Sequence, residues 1–257
     1  MKDTPARTIR AAWAAGLAAR NAWLTIPDAH LAEMVAARGL TEAVTLDLQH
    51  GLFDHAGAIA AIRAVSAHGL APMVRLPGIE AGLIGHLLDA GAAGVIAPMV
   101  ESVADAEALV AACRYPPFGR RSHGPIRTVL RGGDGFAAAE EAVVLAMIET
   151  RTGLERCEEI AKVRGLDGLF VGPGDLGLSL GLGIGQDRAE PELVEAFARI
   201  LAASRAAGGH AGMHAATTAY AAKMAGEGFD LVTVWVDAVA VGTTLATADT
   251  VWREKFG

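Results

Sequence analysis

The sequence has no run of about 18 uncharged apolar residues, so no segment is predicted to cross a membrane. Its two cysteines, Cys113 and Cys157, are spaced for neither a CxxC redox motif nor a zinc site, and we predict reduced thiols in a cytoplasmic protein. The 22 basic residues are fewer than the 29 acidic ones, which gives a formal net charge of −7, and they are scattered along the chain. A nucleic-acid partner normally requires a basic surface, so none is predicted.

Lysine is also scarce. The four lysines are Lys2, Lys162, Lys223 and Lys255, and none falls at the end of a predicted strand. Enzymes that form a Schiff base with a carbonyl substrate need a lysine amine in the site, so that chemistry has no candidate here. The GxSxG motif of serine hydrolases and the GxxxxGK(S/T) motif of P-loop proteins are missing too.

The segment Ala11–Ala19 is small, apolar and flanked by Arg10 and Arg20, which resembles a short signal sequence. Trp13 and Gly16 suit a packed helix better, and no clear cleavage site follows. We therefore predict an alanine-rich N-terminal helix.

Short apolar runs alternate along the chain with longer segments of helical periodicity. The predicted strands are Ala22–Ile26, Ala43–Leu48, Pro72–Leu76, Gly94–Met99, Val143–Glu149, Gly168–Val171, His210–Met213 and Leu231–Val236. The predicted helices between them include Ala29–Arg38, His55–Ala67, Glu80–Ala90, Val103–Cys113, Leu154–Lys162, Glu192–Ala207 and Thr217–Glu227. Eight such units in 257 residues favour an α/β fold of the TIM-barrel type, with residues 1–257 as a single domain, over an open doubly wound sheet.

Two stretches depart from this even spacing. The connection Arg114–Gly135 is long and rich in Gly, Pro and Arg, and long ordered loops are often functional or interfacial. The tract Gly172–Gly185 is rich in glycine but lacks the strand, turn and helix order of a dinucleotide fingerprint.

The stretch Val144–Leu176 reads as strand, helix, strand, with an acid at the end of each strand. Glu149 extends an otherwise apolar run, and Asp175 closes the sequence Gly-Pro-Gly-Asp after the next run. Parallel strands bring their carboxyl ends to the same side of a sheet. Because acids are almost never buried unless they are paired or bind a metal, the two carboxylates predict a site for a hard metal ion.

Other polar residues are predicted to meet at the same end of the barrel, where TIM-barrel active sites lie. The second strand runs into Asp47 and His50, and the third reaches Arg75. His210 and His214 have the spacing of a zinc pair on a helix, but on a strand they lie about 13 Å apart and cannot share one ion. His214 alone is a weaker candidate for this rim.

Several motifs resemble the HpcH/HpaI aldolases, which are class II, divalent-metal-dependent pyruvate aldolases related to 2-keto-3-deoxy-sugar-acid aldolases. The resemblance extends from about Trp23 to Leu245. It is carried by Asp47 to His50, by VRLP around Arg75, by LLDAGAAGVIAPMV from Leu87, by RYPPFGRRSHGP from Arg114, and by Glu149 with Gly172-Pro173-Gly174-Asp175. It implies a (β/α)8 barrel of the phosphoenolpyruvate/pyruvate-domain type, with an N-terminal helix and an exchanged C-terminal helix.

The resemblance also implies roles for individual residues. Glu149 and Asp175 match the two metal-binding carboxylates, for Mg²⁺, Mn²⁺ or Co²⁺. Gly174 and Asp175 match the positions whose amides hold the substrate carboxylate, and Gly172 and Pro173 belong to the same substrate-binding turn.

The catalytic residues are implied in the same way. Arg75 matches the arginine that stabilises the enolate and the developing alkoxide. His50 matches the catalytic base, with Asp47 beside it. Asp89 matches an acid that raises the basicity of that histidine from across a subunit contact.

Two positions depart from the family pattern. Met147 stands where the family usually has a glutamine, two residues before the metal glutamate and on the same strand face. A thioether cannot replace an amide donor, so we expect altered hydrogen bonding to the oxo acid. Gln49 stands where many relatives have a glutamate beside the histidine.

The expected function is reversible joining of a 2-oxo acid, pyruvate or hydroxypyruvate, to an aldehyde. Two alternatives stay open. One is an acyl-CoA lyase of the malyl-CoA or citramalyl-CoA type, and the other is a non-catalytic relative that binds metal and a small acid. The family forms homo-hexamers, as trimers of dimers, by exchanging C-terminal helices, and the apolar segment Ala238–Thr247 is compatible with that assembly.

Overall fold

A computed structural model describes residues 4–130 and 134–256. Over these residues, parallel strands form a closed barrel in which each strand pairs with its neighbours in chain order and β8 pairs with β1. The strands are β1 (Ala19–Leu24), β2 (Ala43–Asp47), β3 (Ala71–Arg75), β4 (Gly94–Ala97), β5 (Val143–Ile148), β6 (Gly168–Val171), β7 (His210–Met213) and β8 (Leu231–Val236). The predicted (β/α)8 barrel is confirmed.

Helices connect the strands on the outside of the barrel. They are α1 (Arg7–Ala14), α2 (Ala29–Ala37), α3 (His55–Ala67), α4 (Ala81–Asp89), α5 (Val103–Cys113), α6 (Ile126–Leu130), α7 (Gly135–Glu141), α8 (Arg151–Glu155), α9 (Cys157–Ile160), α10 (Pro173–Ser179), α11 (Pro191–Ala206), α12 (Thr218–Glu227) and α13 (Asp237–Phe256). No helix in the described part of the chain is long and apolar enough to cross a membrane.

Alternation along each strand divides the buried residues into two cores. Residues such as Met73, Leu145 and Phe170 form a cluster inside the barrel, whereas Val74 and Ile148 pack in the outer cluster with the helices. The inner set also contains a polar layer, in which the Thr45 hydroxyl donates to Asn21 Oδ1 at 3.0 Å and the Asn21 amide contacts Thr233 at 3.5 Å. Because side chains fill the barrel, ligands can bind only at its ends.

The amino-terminal end of the barrel is closed by α1. Ile9 and Trp13 of this helix belong to the inner cluster. The Trp13 ring stacks on His210 with centroids 3.8 Å apart, and its Nε1 donates to the Asp230 carbonyl at 2.9 Å. The open rim is therefore the one formed by the carboxyl ends of the strands.

Several predicted boundaries were wrong. The N-terminal helix is Arg7–Ala14 rather than Ala11–Ala19, because Ala19 already pairs with Leu231 in the sheet. The predicted helix Leu154–Lys162 is divided into α8 and α9 at Arg156. The connection Arg114–Gly135 contains α6, and its residues 131–133 lie outside the described part of the chain.

The last helix, α13, has little contact with the barrel. Asp237 is its only buried residue, and it fixes the start of the helix by accepting hydrogen bonds from the backbone of Thr25 and Ile26. Leu245, Trp252 and other apolar residues of this helix are about two-thirds exposed, at 65% each. The helix therefore presents an apolar surface that this chain does not cover.

Candidate active site

Glu149 follows β5 directly and is buried at the open rim, with 1% of its surface exposed. Its Oε1 accepts a hydrogen bond from the Met99 amide at 2.7 Å. Met99 has a φ of 55°, a conformation that is uncommon for residues other than glycine and that costs about 1 kcal/mol or more. The other carboxylate oxygen, Oε2, is buried without a hydrogen-bond partner among the described residues.

Gly172 leaves open the space beside this unpartnered oxygen. A Cβ at Gly172 would lie 2.5 Å from Glu149 Oε2 and 3.0 Å from Met147 Sδ. Neither distance leaves room for a side chain, so glycine is required here while Glu149 keeps its position. Glu149, Met147 and the Gly172 backbone thus line one small space at the ends of β5 and β6.

Asp175, which follows the neighbouring strand β6, interacts electrostatically with Glu149. It lies in the first turn of α10, where Gly172 is the N-cap and Pro173 the first residue, and it is exposed. The pKa of Glu149 is raised to about 7, mainly by burial and to a smaller extent by the charge of Asp175, against the opposing effects of the Met99 amide and Arg75. The two carboxylates proposed from the sequence are therefore close enough to interact.

Asp47 and Arg75 form a buried ion pair across the rim. Arg75 Nε donates to Asp47 Oδ1 at 2.9 Å, and Arg75 Nη2 donates to Oδ2. Asp47 Oδ2 also accepts from Trp23 Nε1 at 3.3 Å. Burial opposes ionisation of Asp47, but the bonds from Arg75, the His50 amide and Trp23 outweigh it and hold its pKa below the usual range.

The turn that carries His50 is built on the same aspartate. Asp47 Oδ1 accepts hydrogen bonds from the amides of Gln49 at 3.0 Å and His50 at 3.1 Å. A Cβ at Gly51 would meet the Asp47 carbonyl at 2.2 Å, so the tight turn requires glycine. His50 is exposed at the rim, whereas Gln49 Oε1 is buried without a partner in the described structure.

Asp89 is not part of this rim within one chain. It is the last residue of α4, just before the amino end of β4, and so lies at the opposite end of the barrel from His50. Its Oδ1 accepts from Arg121 Nη2 at 2.5 Å, and the Arg121 guanidinium lies 4.8 Å from the Tyr115 ring centroid. Any contact with His50 needs a second subunit, so the role of Asp89 stays a prediction.

Trp23 was not among the predicted site residues, but it contacts three polar groups at the rim. It contacts Asp47 through its indole nitrogen, Arg75 lies 5.0 Å from its ring centroid, and His214 meets its edge. The signal was the alternation on β1, where Trp23 shares the inner face with Asn21. It was missed because the partners of Trp23 lie on other strands.

Glu149 and Asp175 fit a divalent metal ion that prefers oxygen ligands. The unpartnered Glu149 Oε2 and its raised pKa indicate a buried carboxylate whose charge is not compensated within the described chain. No group of three or more His, Cys, Asp or Glu side chains suited to a metal is found in that part of the chain. A metal held by these two carboxylates would keep several positions open for substrate and water.

A family model described as HpcH/HpaI aldolase/citrate lyase matches residues 21–242. The chain belongs to this family. A hydroxypyruvate/pyruvate aldolase of Rhizorhabdus wittichii is 41% identical over 231 residues, which cover 89% of this chain and 92% of that protein. A 4-hydroxy-2-oxovalerate aldolase of Novosphingobium aromaticivorans is 37% identical over 212 residues, 80% of each chain. The resemblance inferred from the motifs is thereby confirmed.

Solved structures agree with the fold. The crystal structure of an HpcH/HpaI aldolase/citrate lyase family protein from Burkholderia cenocepacia J2315 superimposes with a TM-score of 0.82 at 31% identity, covering 93% of this chain and 95% of that one. An HpcH/HpaI aldolase from Desulfitobacterium hafniense DCB-2 gives a TM-score of 0.87 at 24% identity over 96% of this chain and 97% of the other, a likeness of fold.

Proposed function

We propose that this protein is a divalent-metal-dependent aldolase that reversibly joins a 2-oxo acid, pyruvate or hydroxypyruvate, to an aldehyde. The observation that carries the proposal is the buried, uncompensated carboxylate of Glu149 on the same rim as the Asp47–Arg75 pair. The names of the relatives, hydroxypyruvate/pyruvate aldolase among them, support the same class of reaction. The chain is expected to act as a single domain over residues 1–257.

Glu149 and Asp175 would hold the ion, which we propose to be Mg²⁺, Mn²⁺ or Co²⁺. A bound divalent cation would polarise the keto oxygen of the oxo acid and favour loss of a proton from its C3 carbon. The amides of Gly174 and Asp175 would receive the substrate carboxylate. Gly172 and Pro173 shape this turn, because any side chain at Gly172 would fill the space beside Glu149. Met147 would present an apolar thioether there.

Arg75 is placed to meet negative charge on the substrate. Its Nε and Nη2 bind Asp47, which fixes the plane of the guanidinium. A guanidinium has five N–H donors, so donors remain for an enolate or alkoxide oxygen. Because Asp47 holds the group in place before substrate arrives, little reorganisation is needed during the reaction.

His50 would act as the base that moves a proton to and from the aldehyde-derived hydroxyl. Its exposed position at the rim allows exchange of that proton with solvent. Asp47 fixes the backbone of the His50 turn. Asp89 of a neighbouring subunit would raise the basicity of His50. Within one chain Asp89 pairs with Arg121, so this role requires the assembled oligomer.

We further propose a homo-hexamer, a trimer of dimers, in which subunits exchange α13. The support is the exposed apolar surface of this helix, since large uncovered apolar patches mark interaction sites. A cytoplasmic location is proposed as well, because Cys113 and Cys157 are both free and buried. Sedimentation velocity of the full chain tests the assembly.

The function is tested with pyruvate in D₂O and a panel of aldehydes, after metal removal and after return of Mg²⁺, Mn²⁺ or Co²⁺. We expect exchange of the pyruvate C3 protons and aldol formation only with metal, and a loss of at least about a hundredfold in Glu149→Ala. Glu33→Gln, an exposed glutamate on α2, is the matched control. Full activity in the chelated protein would exclude the proposal.

The same assay separates the alternatives. Cleavage of malyl-CoA or citramalyl-CoA in preference to free oxo acids would favour the acyl-CoA lyase. Binding of pyruvate without C3 exchange would favour a non-catalytic binding protein.

A further inference from the structure

His214 follows β7 directly and lies at the open rim. Its imidazole meets the edge of Trp23, with ring centroids 4.9 Å apart and planes at 88°. The Arg75 guanidinium lies 5.0 Å from the centroid of the same indole, whose nitrogen donates to Asp47. One tryptophan thus joins His214 to the Asp47–Arg75 half of the site.

The hydrogen-bonding capacity of this imidazole is unused. The ring is partly buried, and neither nitrogen has a hydrogen-bond partner within residues 4–130 and 134–256. Burial and the positive charge of Arg75 lower the pKa of His214 to about 4, against smaller opposing effects of Asp47 and Asp187. Near pH 7 the ring is therefore neutral and offers one N–H donor and one nitrogen acceptor.

The side of the ring that faces Trp23 borders the apolar inner cluster. Trp23 also packs against Phe170, with centroids 6.0 Å apart, and Met147 belongs to the same inner cluster. A substrate group that approaches the partly buried His214 gives up hydrogen bonds to water and must replace them with bonds to the imidazole. Such a group binds most tightly when it can both donate a hydrogen bond to the imidazole and accept one from it, and a hydroxyl group does both.

We propose that His214 is a specificity-determining residue that binds a hydroxyl group next to the carbonyl of the aldehyde, so that 2-hydroxyaldehydes are preferred to alkyl aldehydes of equal size. The inference rests on the proposed aldolase function. The aldehyde is the relevant substrate because the oxo acid is assigned to Glu149 and Asp175, whereas His214 lies on the side where Arg75 would meet the alkoxide formed from the aldehyde carbonyl. An alkyl group at this position would leave the ring without water and without a partner.

Glycolaldehyde and propanal test this directly, because they have the same number of non-hydrogen atoms and differ in a hydroxyl against a methyl group. The quantity measured is the ratio of kcat/KM for glycolaldehyde to that for propanal, with pyruvate and metal saturating. We expect the wild-type ratio to exceed one, and to fall about tenfold in His214→Phe and His214→Leu. His214→Gln keeps a donor and an acceptor, and its ratio should stay within about threefold of wild type.

His30→Phe is the matched control, because His30 lies on α2 with 77% of its side chain exposed. An unchanged ratio in the Phe and Leu variants would overturn the proposal, as would a wild-type preference for propanal. If both variants fail to fold by circular dichroism, the wild-type ratio decides, with a preference of about tenfold or more for glycolaldehyde as support. Wild-type protein that neither exchanges pyruvate C3 protons nor forms any aldol would refute the aldolase function itself.

Discussion

The two halves of the rim, one with Asp47 and Arg75 and the other with Glu149 and Asp175, differ in how their buried carboxylates are paired. Asp47 is fully paired, with Arg75 on both oxygens and with amide and indole donors around it. Glu149 has one amide donor and one oxygen with no partner in the described chain. Both residues are 1% exposed, so burial alone does not explain why the pKa of Asp47 is lowered and that of Glu149 is raised to about 7.

The difference indicates that one half is complete without a ligand and the other is not. The Asp47–Arg75 pair is electrostatically satisfied and can hold its geometry before substrate binds. Glu149 bears an unfavourable charge that a cation would compensate. The protein thus places a half with paired charges beside a half whose charge balance depends on what it binds.

The largest expected effect comes from breaking the paired half. Arg75→Leu should lower kcat/KM about 10²- to 10³-fold, through loss of about 2.7–4 kcal/mol of transition-state stabilisation. It should also lower the free energy of unfolding by about 3–5 kcal/mol, because Asp47 would stay buried without its partner. Steady-state kinetics and urea unfolding measure the two effects.

Arg199→Leu is the control, since Arg199 pairs with Glu158 where both side chains are more than 40% exposed. We expect a stability change below about 1 kcal/mol there. Adding Asp47→Asn to Arg75→Leu should recover part of the lost stability, but not the activity. If Arg75→Leu alone were as stable as wild type, the ion pair with Arg75 would not be what stabilises the buried charge of Asp47.

The second prediction concerns the unpaired half. The pKa of Glu149 is about 7 in the folded protein against 4.5 as its ordinary value. A raised pKa means that the stability gained from the proton is complete below about pH 4.5 and is lost as pH rises through about 7. Without metal, Glu149→Gln should therefore be more stable than wild type by about 3 kcal/mol at pH 8 and equal to it near pH 4.5.

Urea unfolding with chelator at the two pH values checks this, and Glu195→Gln, at an exposed position on α11, is the control. Adding Mn²⁺ at pH 8 should stabilise wild type but not Glu149→Gln. If the stability difference between Glu149→Gln and wild type were the same at both pH values, the titration of Glu149 would not be its cause.

The smallest expected effect sharpens the chemistry beside Glu149. Met147→Gln restores an amide donor next to Gly172, and one added hydrogen bond contributes about 1 kcal/mol. In Met147→Gln the KM for pyruvate should fall about fivefold, while the stability of the variant changes little. Met147→Leu, which has no donor, should not lower KM. Equal KM values in the two variants would show that position 147 does not contact the oxo acid.

Local sequence pattern predicted much of the barrel. The predicted and observed bounds coincide for β6, β7 and β8, where short apolar runs are set off by turn residues. The first strand was misplaced by three residues at its start, because its polar Asn21 faces the barrel interior. Asn21 is satisfied there by Thr45 and Thr233, two strands that are distant in sequence. Such compensation cannot be read from the strand itself.

The site shows the same division. Glu149 could be predicted, because an acid that extends an apolar strand is conspicuous in any sequence. The pairing of Asp47 with Arg75 and the central position of Trp23 could not, since they depend on contacts between three strands. The sequence also implied a role for Asp89, whose position in one chain leaves that role to a second subunit.

The closure of the barrel by α1 and Trp13 has a kinetic consequence. With one end sealed, both substrates must enter, and the product must leave, through the same mouth. With the oxo acid placed beside the buried Glu149, as proposed above, an aldehyde bound nearer to the mouth would block its exit. We therefore expect ordered binding, with the oxo acid first and the aldehyde second, and on cleavage we expect the aldehyde to depart before the oxo acid.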